Sequence, residues 1–199
     1  IRARPSLIAK ARNADLVICS GAGLEVGWLP LLLQKGTVDV QPGAVGHLMA
    51  SEYVPVIEKP TSVDRSMGDV HPEGNPHIHL NPHNVLLVAK ELVRRMKKLD
   101  SANTEFFQKR VTDFEIRWRQ AIIDWEEQAN FITGSSVVVH HKSFSYLNNW
   151  LELKQVASLE PKPGIPPNVQ HLEGLLQQLS TEEVDIIIRT PYEPDEASE

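Results

Sequence analysis

Residues 68–82 concentrate the side chains of this chain that are best suited to bind a metal ion. The stretch reads Gly-Asp-Val-His-Pro-Glu-Gly-Asn-Pro-His-Ile-His-Leu-Asn-Pro and holds three of the eight histidines, at His71, His77 and His79. Imidazole and carboxylate groups are the usual protein ligands of zinc and similar divalent ions. In an extended segment His77 and His79 would point to the same side, because side chains alternate with a period of two. The pattern alone leaves two interpretations open, a metal site and a surface loop with scattered polar histidines.

A second pair of histidines, His140 and His141, follows a short apolar run. Val137 to Val139 is a β-branched segment after Gly134, and it predicts a buried strand. In open α/β sheets, ligands are contacted by groups just beyond the carboxyl ends of the strands. The same pattern also fits one histidine that caps the next helix and one that lies in the core.

Together the two segments resemble the periplasmic metal-binding proteins of zinc and manganese ABC transporters. Residues 73–82 are similar to that family's Gly-Asn-Pro-His-x-x-Leu-Asp-Pro signature, with Asn81 where aspartate is usual. Residues 138–144 are similar to its strand-His-x-x-Phe signature. Further similar segments follow the family's order and extend the resemblance over nearly the whole chain, at 14–18, 21–29 and 159–167.

The resemblance implies an α/β fold of two lobes, with mostly parallel sheets flanked by helices and a long rigid backbone helix between the lobes. The expected boundaries are 1–101 for the N-terminal lobe, 102–131 for the linking helix and 132–199 for the C-terminal lobe. The first lobe is expected to be incomplete at its start and the second at its end.

The residue pattern itself predicts two long helices. Asn81 and Pro82 are typical of an N-cap and a first helical position, and they open a helix to about Leu99. The second helix spans about 103–130, where apolar residues recur at spacings of four and three. This seam consists of Phe107, Val111, Phe114, Trp118, Ala121 and Trp125. Shorter strands are predicted at 14–19, 53–57, 137–139, 156–159 and 184–188, and shorter helices at 24–34, 144–151 and 169–179, with one of about two turns opening at 5–6.

For the metal site, the resemblance implies that His77 and His141 bind the ion. His77 matches the histidine of Asn-Pro-His, and His141 matches because Phe144 follows it at the expected spacing. His140 is the alternative to His141.

Other residues are expected to support the ligands or to complete the site. His79 stands where many family members carry tryptophan, and it is a less favoured ligand that we expect to support the site from nearby. Glu160 matches a glutamate near the cleft, with the same supporting role. By the resemblance, one more ligand is expected before Ile1 and a carboxylate ligand beyond Glu199.

The composition argues against several classes of function. A formal net charge of −6 with no block of lysine and arginine argues against nucleic-acid binding, which needs clustered positive charge. The apolar runs are too short to cross a bilayer as a helix. Cys19 is the one cysteine, so these 199 residues cannot form a disulfide among themselves.

The expected function is therefore high-affinity binding of a divalent transition metal, zinc first and manganese second, and its delivery to an ABC permease. The protein is expected to be a monomer that is not an enzyme, either periplasmic or lipid-anchored outside the cytoplasm. One alternative is a metal-dependent hydrolase, with Asp69, Glu73 or Glu160 as the base, although no HExxH motif is present. Another is a metal-linked surface adhesin.

Overall fold

The computed structural model describes residues 4–62, 67–68 and 71–198, which form an α/β fold with two separate parallel sheets. Asp69 lies outside the described residues. The α-helices are α1 (Pro5–Ala11), α2 (Leu29–Leu33), α3 (Pro82–Leu99), α4 (Thr104–Ala129), α5 (Ser145–Trp150) and α6 (Val169–Leu179). The strands are β1 (Val17–Cys19), β2 (His47–Met49), β3 (Ser136–Val139), β4 (Lys154–Ser158) and β5 (Ile186–Ile188). Within these described ranges, no helix is both long enough and apolar enough to cross a membrane.

The N-terminal sheet consists of β1 and β2, which run parallel with Val17 opposite His47. Residues of α1, α2 and β1 form its core, among them Ala11, Cys19 and Leu32. The helix predicted over 24–34 is present only as α2, at Leu29–Leu33. Gly21, Ala22 and Gly23 all have positive φ, and Pro30 has no N–H to donate, so it fits only the first turn of a helix.

The C-terminal sheet has the parallel order β4-β3-β5, with β3 in the centre. Side chains of β3 alternate between two clusters. Val137 and Val139 pack with Leu153 on one side, and Val138 packs with Leu159 and Leu175 on the other. This burial on both faces explains the continuous valine run.

In the sequence, the long helices α3 and α4 follow the N-terminal sheet and precede the C-terminal one, and they contact each other. Trp118 of α4 donates its Nε1–H to the carbonyl oxygen of Pro82, the first residue of α3, at 2.9 Å. Its ring stacks on Phe114 and meets Trp125 edge-on, and Trp125 in turn contacts Trp150 of α5. The aromatic seam of α4 therefore connects α3 with the C-terminal half. The lobe boundaries at 101 and 131 stay a prediction.

The prediction of a strand at 53–57 is wrong. Residues 50–53 form a 3-10 turn and residues 54–60 are irregular, while β2 lies earlier, at 47–49. The backbone of residues 54–60 does not form the hydrogen-bond ladder of a β-sheet. Its Ile57 forms one hydrogen bond with a backbone group and one with a side chain. Ile57 accepts from the N–H of Asn75 at 2.9 Å and donates to Tyr146 Oη at 3.3 Å.

Arg95 anchors α3 to the loop that leads into β2. Its guanidinium group donates to Tyr53 Oη at 2.7 Å and to three carbonyl oxygens at 2.6–3.2 Å, those of Ala44, Val45 and His47. Glu91, one turn earlier, accepts from Arg94 and Arg95 at 2.6 Å. Basic residues near the C-terminal end of α3 interact favourably with the helix dipole. The dipole alone does not account for Arg95, because this residue is only 7% exposed and its guanidinium group is directed to the loop before β2.

Candidate metal centre

The first half of the centre is a tight loop that leads from Gly74 toward α3. Gly74 has φ +105°, and a Cβ atom there would meet Val56 Cγ1 at 2.5 Å and the Ile57 carbonyl oxygen at 2.8 Å. Glycine allows both this backbone conformation and this close approach. Because the loop packs so closely on residues 56–57, the N–H of Asn75 reaches the Ile57 carbonyl. This contact sets the position of Asn75 and of His77, two residues later.

The side-chain amide of Asn75 orients the ring of His77. Asn75 Oδ1 accepts from the backbone N–H of His77 at 2.9 Å and lies 2.8 Å from His77 Nδ1. Asn75 Nδ2 faces three acceptors, Glu58 Oε2 at 2.7 Å, the Lys142 carbonyl oxygen at 2.9 Å and Ser145 Oγ at 3.4 Å. These acceptors identify which end of the amide is nitrogen. An amide oxygen can only accept, so His77 Nδ1 carries the proton. Nε2 then has the lone pair that a metal ion requires.

The surroundings of His77 favour its neutral form. Its pKa is lowered from 6.5 to about 4, chiefly by burial and then by the neighbouring imidazoles of His141, His79 and His71, while Glu58 opposes the shift. A histidine must be deprotonated to bind a metal ion. His77 is therefore in its binding form at neutral pH and remains so in mildly acidic solution.

His141 faces His77 from the C-terminal half, two residues beyond β3. Its Nδ1 atom lies 2.6 Å from Glu160 Oε2, which also accepts from the N–H of Gly164 at 2.9 Å. Since the carboxylate accepts, Nδ1 of His141 carries a proton, and in the neutral imidazole the lone pair is then on Nε2. A carboxylate that holds the far nitrogen of an imidazole is the usual support of a metal-binding histidine.

The two rings stand close to the spacing that one shared ion needs. The ring centroids of His77 and His141 are 6.0 Å apart. With Zn–N distances of about 2.0–2.1 Å and tetrahedral angles, two ring centroids on one zinc ion lie roughly 5 Å apart. The observed centroid spacing is thus about 1 Å longer than that of two imidazoles on one zinc ion.

Both rings line one cleft of about 250 Å³, together with Glu58, His71 and Lys142. Neither Nε2 atom has a hydrogen-bond partner within the part of the chain that the structure describes. In residues 4–62, 67–68 and 71–198, no group of three or more histidine, cysteine or acidic side chains lies close enough to hold an ion. The described residues thus bring three imidazoles to the cleft, and the rings of two of them, His77 and His141, face each other.

His140 and His79 lie elsewhere. His140 continues the ladder of β3, its N–H donating to the Ile188 carbonyl at 2.9 Å, and it is 2% exposed. Because side chains alternate, it shares the side of Val138 and not that of His141. The ring of His79 is 6.4 Å from that of His77 but lines a separate pocket with Cys19. Burial lowers the pKa of His79. Of the histidine pair at 140–141, His141 is the one that faces His77.

Sequence reasoning missed two residues that orient the site, Asn75 and Glu58. The signal for Asn75 was present, because asparagine side chains often bond the backbone two residues ahead, here at His77. Glu58 carries no such signal. It lies in an irregular segment 17 residues before its partner Asn75, and only the folded chain brings the two together.

The family described as the periplasmic zinc-uptake complex component A, ZnuA, matches residues 1–199, the whole of this sequence. The chain belongs to this family. Its members are binding components of an uptake system and not enzymes, which supports the prediction that the protein is not an enzyme.

One protein that this chain is similar to is the manganese ABC transporter substrate-binding lipoprotein PsaA of Streptococcus anginosus. It is 24% identical over 149 residues, which cover 72% of this chain and 45% of PsaA. This sequence therefore spans less than half the length of that curated relative.

Solved structures of similar proteins share the fold. A crystal structure of ZnuA has a TM-score of 0.74 at 18% identity, covering 98% of this chain and 69% of that one. FpvC of P. aeruginosa, solved with Ni²⁺, has a TM-score of 0.71 at 22% identity, covering 94% and 63%. A Cd-bound periplasmic metal-binding protein from candidatus liberibacter asiaticus has a TM-score of 0.72 at 16% identity, covering 98% and 67%. At these identities the likeness concerns the fold, and it confirms the α/β prediction.

Proposed function

We propose that this protein captures a divalent transition metal ion between His77 and His141 and delivers it to a membrane ABC permease. The observation that carries the proposal is the pair of imidazoles whose Nδ1 atoms are held by acceptors, at 2.8 Å and 2.6 Å, and whose Nε2 atoms are free to bind. Two rings on separate segments of one cleft, 6.0 Å apart, can close on a single ion.

Zinc is the first candidate and manganese the second. Neutral imidazole suits zinc, and a site completed by several oxygen ligands would suit manganese. The two rings need further ligands to complete a coordination sphere. The ligands expected before Ile1 and beyond Glu199 stay predictions.

The protein would act outside the cytoplasm, in the periplasm or on a lipid anchor, and as a monomer. The description of its family as periplasmic and the lipoprotein character of PsaA support this location. The long helix α4 between the two sheets supports a small closing movement, because a continuous helix resists bending. A shift of about 1 Å, the difference between the observed ring spacing and that of two imidazoles on one zinc ion, would be within its range.

The test is a calorimetric titration of the metal-stripped, full-length protein with Zn²⁺ and with Mn²⁺. His77→Ala and His141→Ala should each weaken binding by more than the roughly 10- to 100-fold that loss of a supporting residue costs. His83→Ala is the matched control, since this histidine is largely exposed beside Glu126 and outside the cleft.

Tight one-to-one binding that both cleft variants weaken and His83→Ala leaves unchanged would support the proposal, and the order of affinities would name the cargo. Binding that is indifferent to both cleft histidines would contradict it. Binding of a surface ligand by the metal-free protein would instead favour the adhesin alternative.

A further inference from the structure

We infer that Glu58 is a positioning residue for metal capture, whose carboxylate fixes the Asn75–His77 pair and ties it to the segment that carries His141. The inference rests on the proposed function. It concerns a residue whose role follows from its contacts across the cleft and not from any sequence motif.

The backbone of Glu58 is in an unusual conformation. Its φ is +54°, in the left-handed region that residues other than glycine rarely adopt. Such conformations are unfavourable, and they persist where the surrounding contacts hold them, often at functional sites. Glu58 lines the cleft that also holds His77 and His141.

The carboxylate joins the two segments that carry the histidines. Glu58 Oε2 accepts from Asn75 Nδ2 at 2.7 Å, and Oε1 accepts from Ser145 Oγ at 3.0 Å. Asn75 Nδ2 also donates to the carbonyl oxygen of Lys142, the residue after His141. Asn75 and Ser145 are both 7% exposed, whereas Glu58 itself is exposed, so its carboxylate makes charge-assisted bonds from the solvent side to a buried amide and a buried hydroxyl.

The charge of Glu58 also acts on His77 through the amide of Asn75. A carboxylate that accepts from Nδ2 polarises the amide, which makes Oδ1 a better acceptor for the proton on His77 Nδ1. A firmly held Nδ1 proton makes Nε2 a better metal ligand. The negative charge also favours a cation bound on the His77 ring.

A second set of hydrogen bonds, which involves no charged group, joins the same two halves beside Glu58. Tyr146 Oη donates to the Asn75 carbonyl oxygen at 2.9 Å and accepts from the N–H of Ile57. Its ring is 2% exposed and packs against Ala50 and Ile78. Loss of the carboxylate should therefore alter the cleft while the two halves stay joined.

The test compares Zn²⁺ affinities of full-length variants by competition with a chromophoric chelator. Glu58→Gln should weaken binding about 10- to 100-fold, as loss of a supporting residue does in other metal sites. Glu52→Gln, an exposed carboxylate six residues earlier that does not line the cleft, should bind zinc like the wild type. In metal-free protein, long-range ¹H–¹⁵N NMR should show the Nδ1–H tautomer of His77 in the wild type and a mixture of tautomers in Glu58→Gln.

A second variant distinguishes a role of Glu58 in positioning His77 from a role in the stability of the fold. Glu58→Gly removes the carboxylate but suits a positive φ, so urea should unfold it no earlier than the wild type while its zinc affinity falls as in Glu58→Gln. If Glu58→Gln binds zinc as tightly as the wild type, or if Glu58→Gly loses stability together with affinity, the positioning role is overturned and the proposed function stands. If the wild type itself does not bind zinc, the proposed function fails, and this inference with it.

Discussion

Glu91 and Glu160 each hold a nitrogen group at 2.6 Å, but in two regions with different consequences. In α3, Glu91 binds the guanidinium of Arg95, whose other N–H groups are directed to carbonyl oxygens and to Tyr53. At the cleft, Glu160 binds Nδ1 of His141 and leaves Nε2 without a partner among the described residues. Arginine stays charged and makes several bonds, whereas imidazole can offer one nitrogen to a ligand. The same carboxylate contact thus stabilises the fold in α3 and prepares a binding group at the cleft.

The largest expected effect concerns the α3 anchor. Arg95→Ala should lower the free energy of unfolding by about 3–5 kcal/mol, because it leaves Glu91 short of a partner and three carbonyl groups unpaired in a buried setting. Urea denaturation measures the loss. Arg94→Ala is the matched control, since this neighbour also binds Glu91 but its side chain is 52% exposed, and it should cost much less. Equal losses for the two variants would contradict the anchor role.

The second effect is a pH dependence of stability that comes from Glu91. Its hydrogen bond to Arg94, assisted by Arg95 and opposed by burial, lowers the pKa of Glu91 from 4.5 to about 2. The folded-state pKa is the lower one, so this stabilisation is complete above pH 4.5 and is lost as the pH falls from there toward 2. The change is on the order of 1–2 kcal/mol, because the main partner, Arg94, is half exposed and solvent screens its bond to Glu91. Urea unfolding along this range should show it in the wild type, and a Glu91→Gln variant with the same slope would contradict it.

The third expected effect concerns Glu160, the carboxylate that holds His141 at the cleft. Glu160→Gln keeps an acceptor for His141 but removes the charge, and it should weaken zinc binding about 10- to 100-fold with little change in stability. Competitive titration measures the affinity, with Glu173→Gln on the exposed face of α6 as control. If Glu160→Gln instead lowers stability as much as a change in the α3 anchor does, the distinction between the two carboxylates fails.

The smallest expected effect is on stability and concerns the hydrogen bond from Trp118 of α4 to the first residue of α3. Trp118→Phe removes the bond to the Pro82 carbonyl and should lower the free energy of unfolding by about 1 kcal/mol. Trp150→Phe is the matched control, because its Nε1 binds Glu126, an exposed carboxylate that water can satisfy. Thermal unfolding of both variants checks the difference, and an equal or larger loss for Trp150→Phe would count against the role of Trp118.

The elements predicted best are those with strong local signals. The helices at Pro82–Leu99 and Val169–Leu179 are confirmed at both ends, and α4 differs from its prediction by one residue at each end. An N-cap asparagine marks the first two, and its side chain does accept a backbone N–H in each. The strands at 14–19, 156–159 and 184–188 are present but differ in their bounds, and β2 was missed, because His-Leu-Met carries no β-branched run.

The sequence by itself determined the α/β class through its resemblance to a known family. It determined the long helices through caps, proline and hydrophobic periodicity, which act within a few residues, and its histidine-rich segments are visible directly. Only the tertiary structure decided which groups meet. Asn75 contacts Ser145 across 70 positions, Arg95 holds a loop about 50 positions away, and β3 turns His140 inward while His141 faces His77. Such contacts depend on how elements pack and on which face of a strand meets the cleft, and no local pattern encodes either.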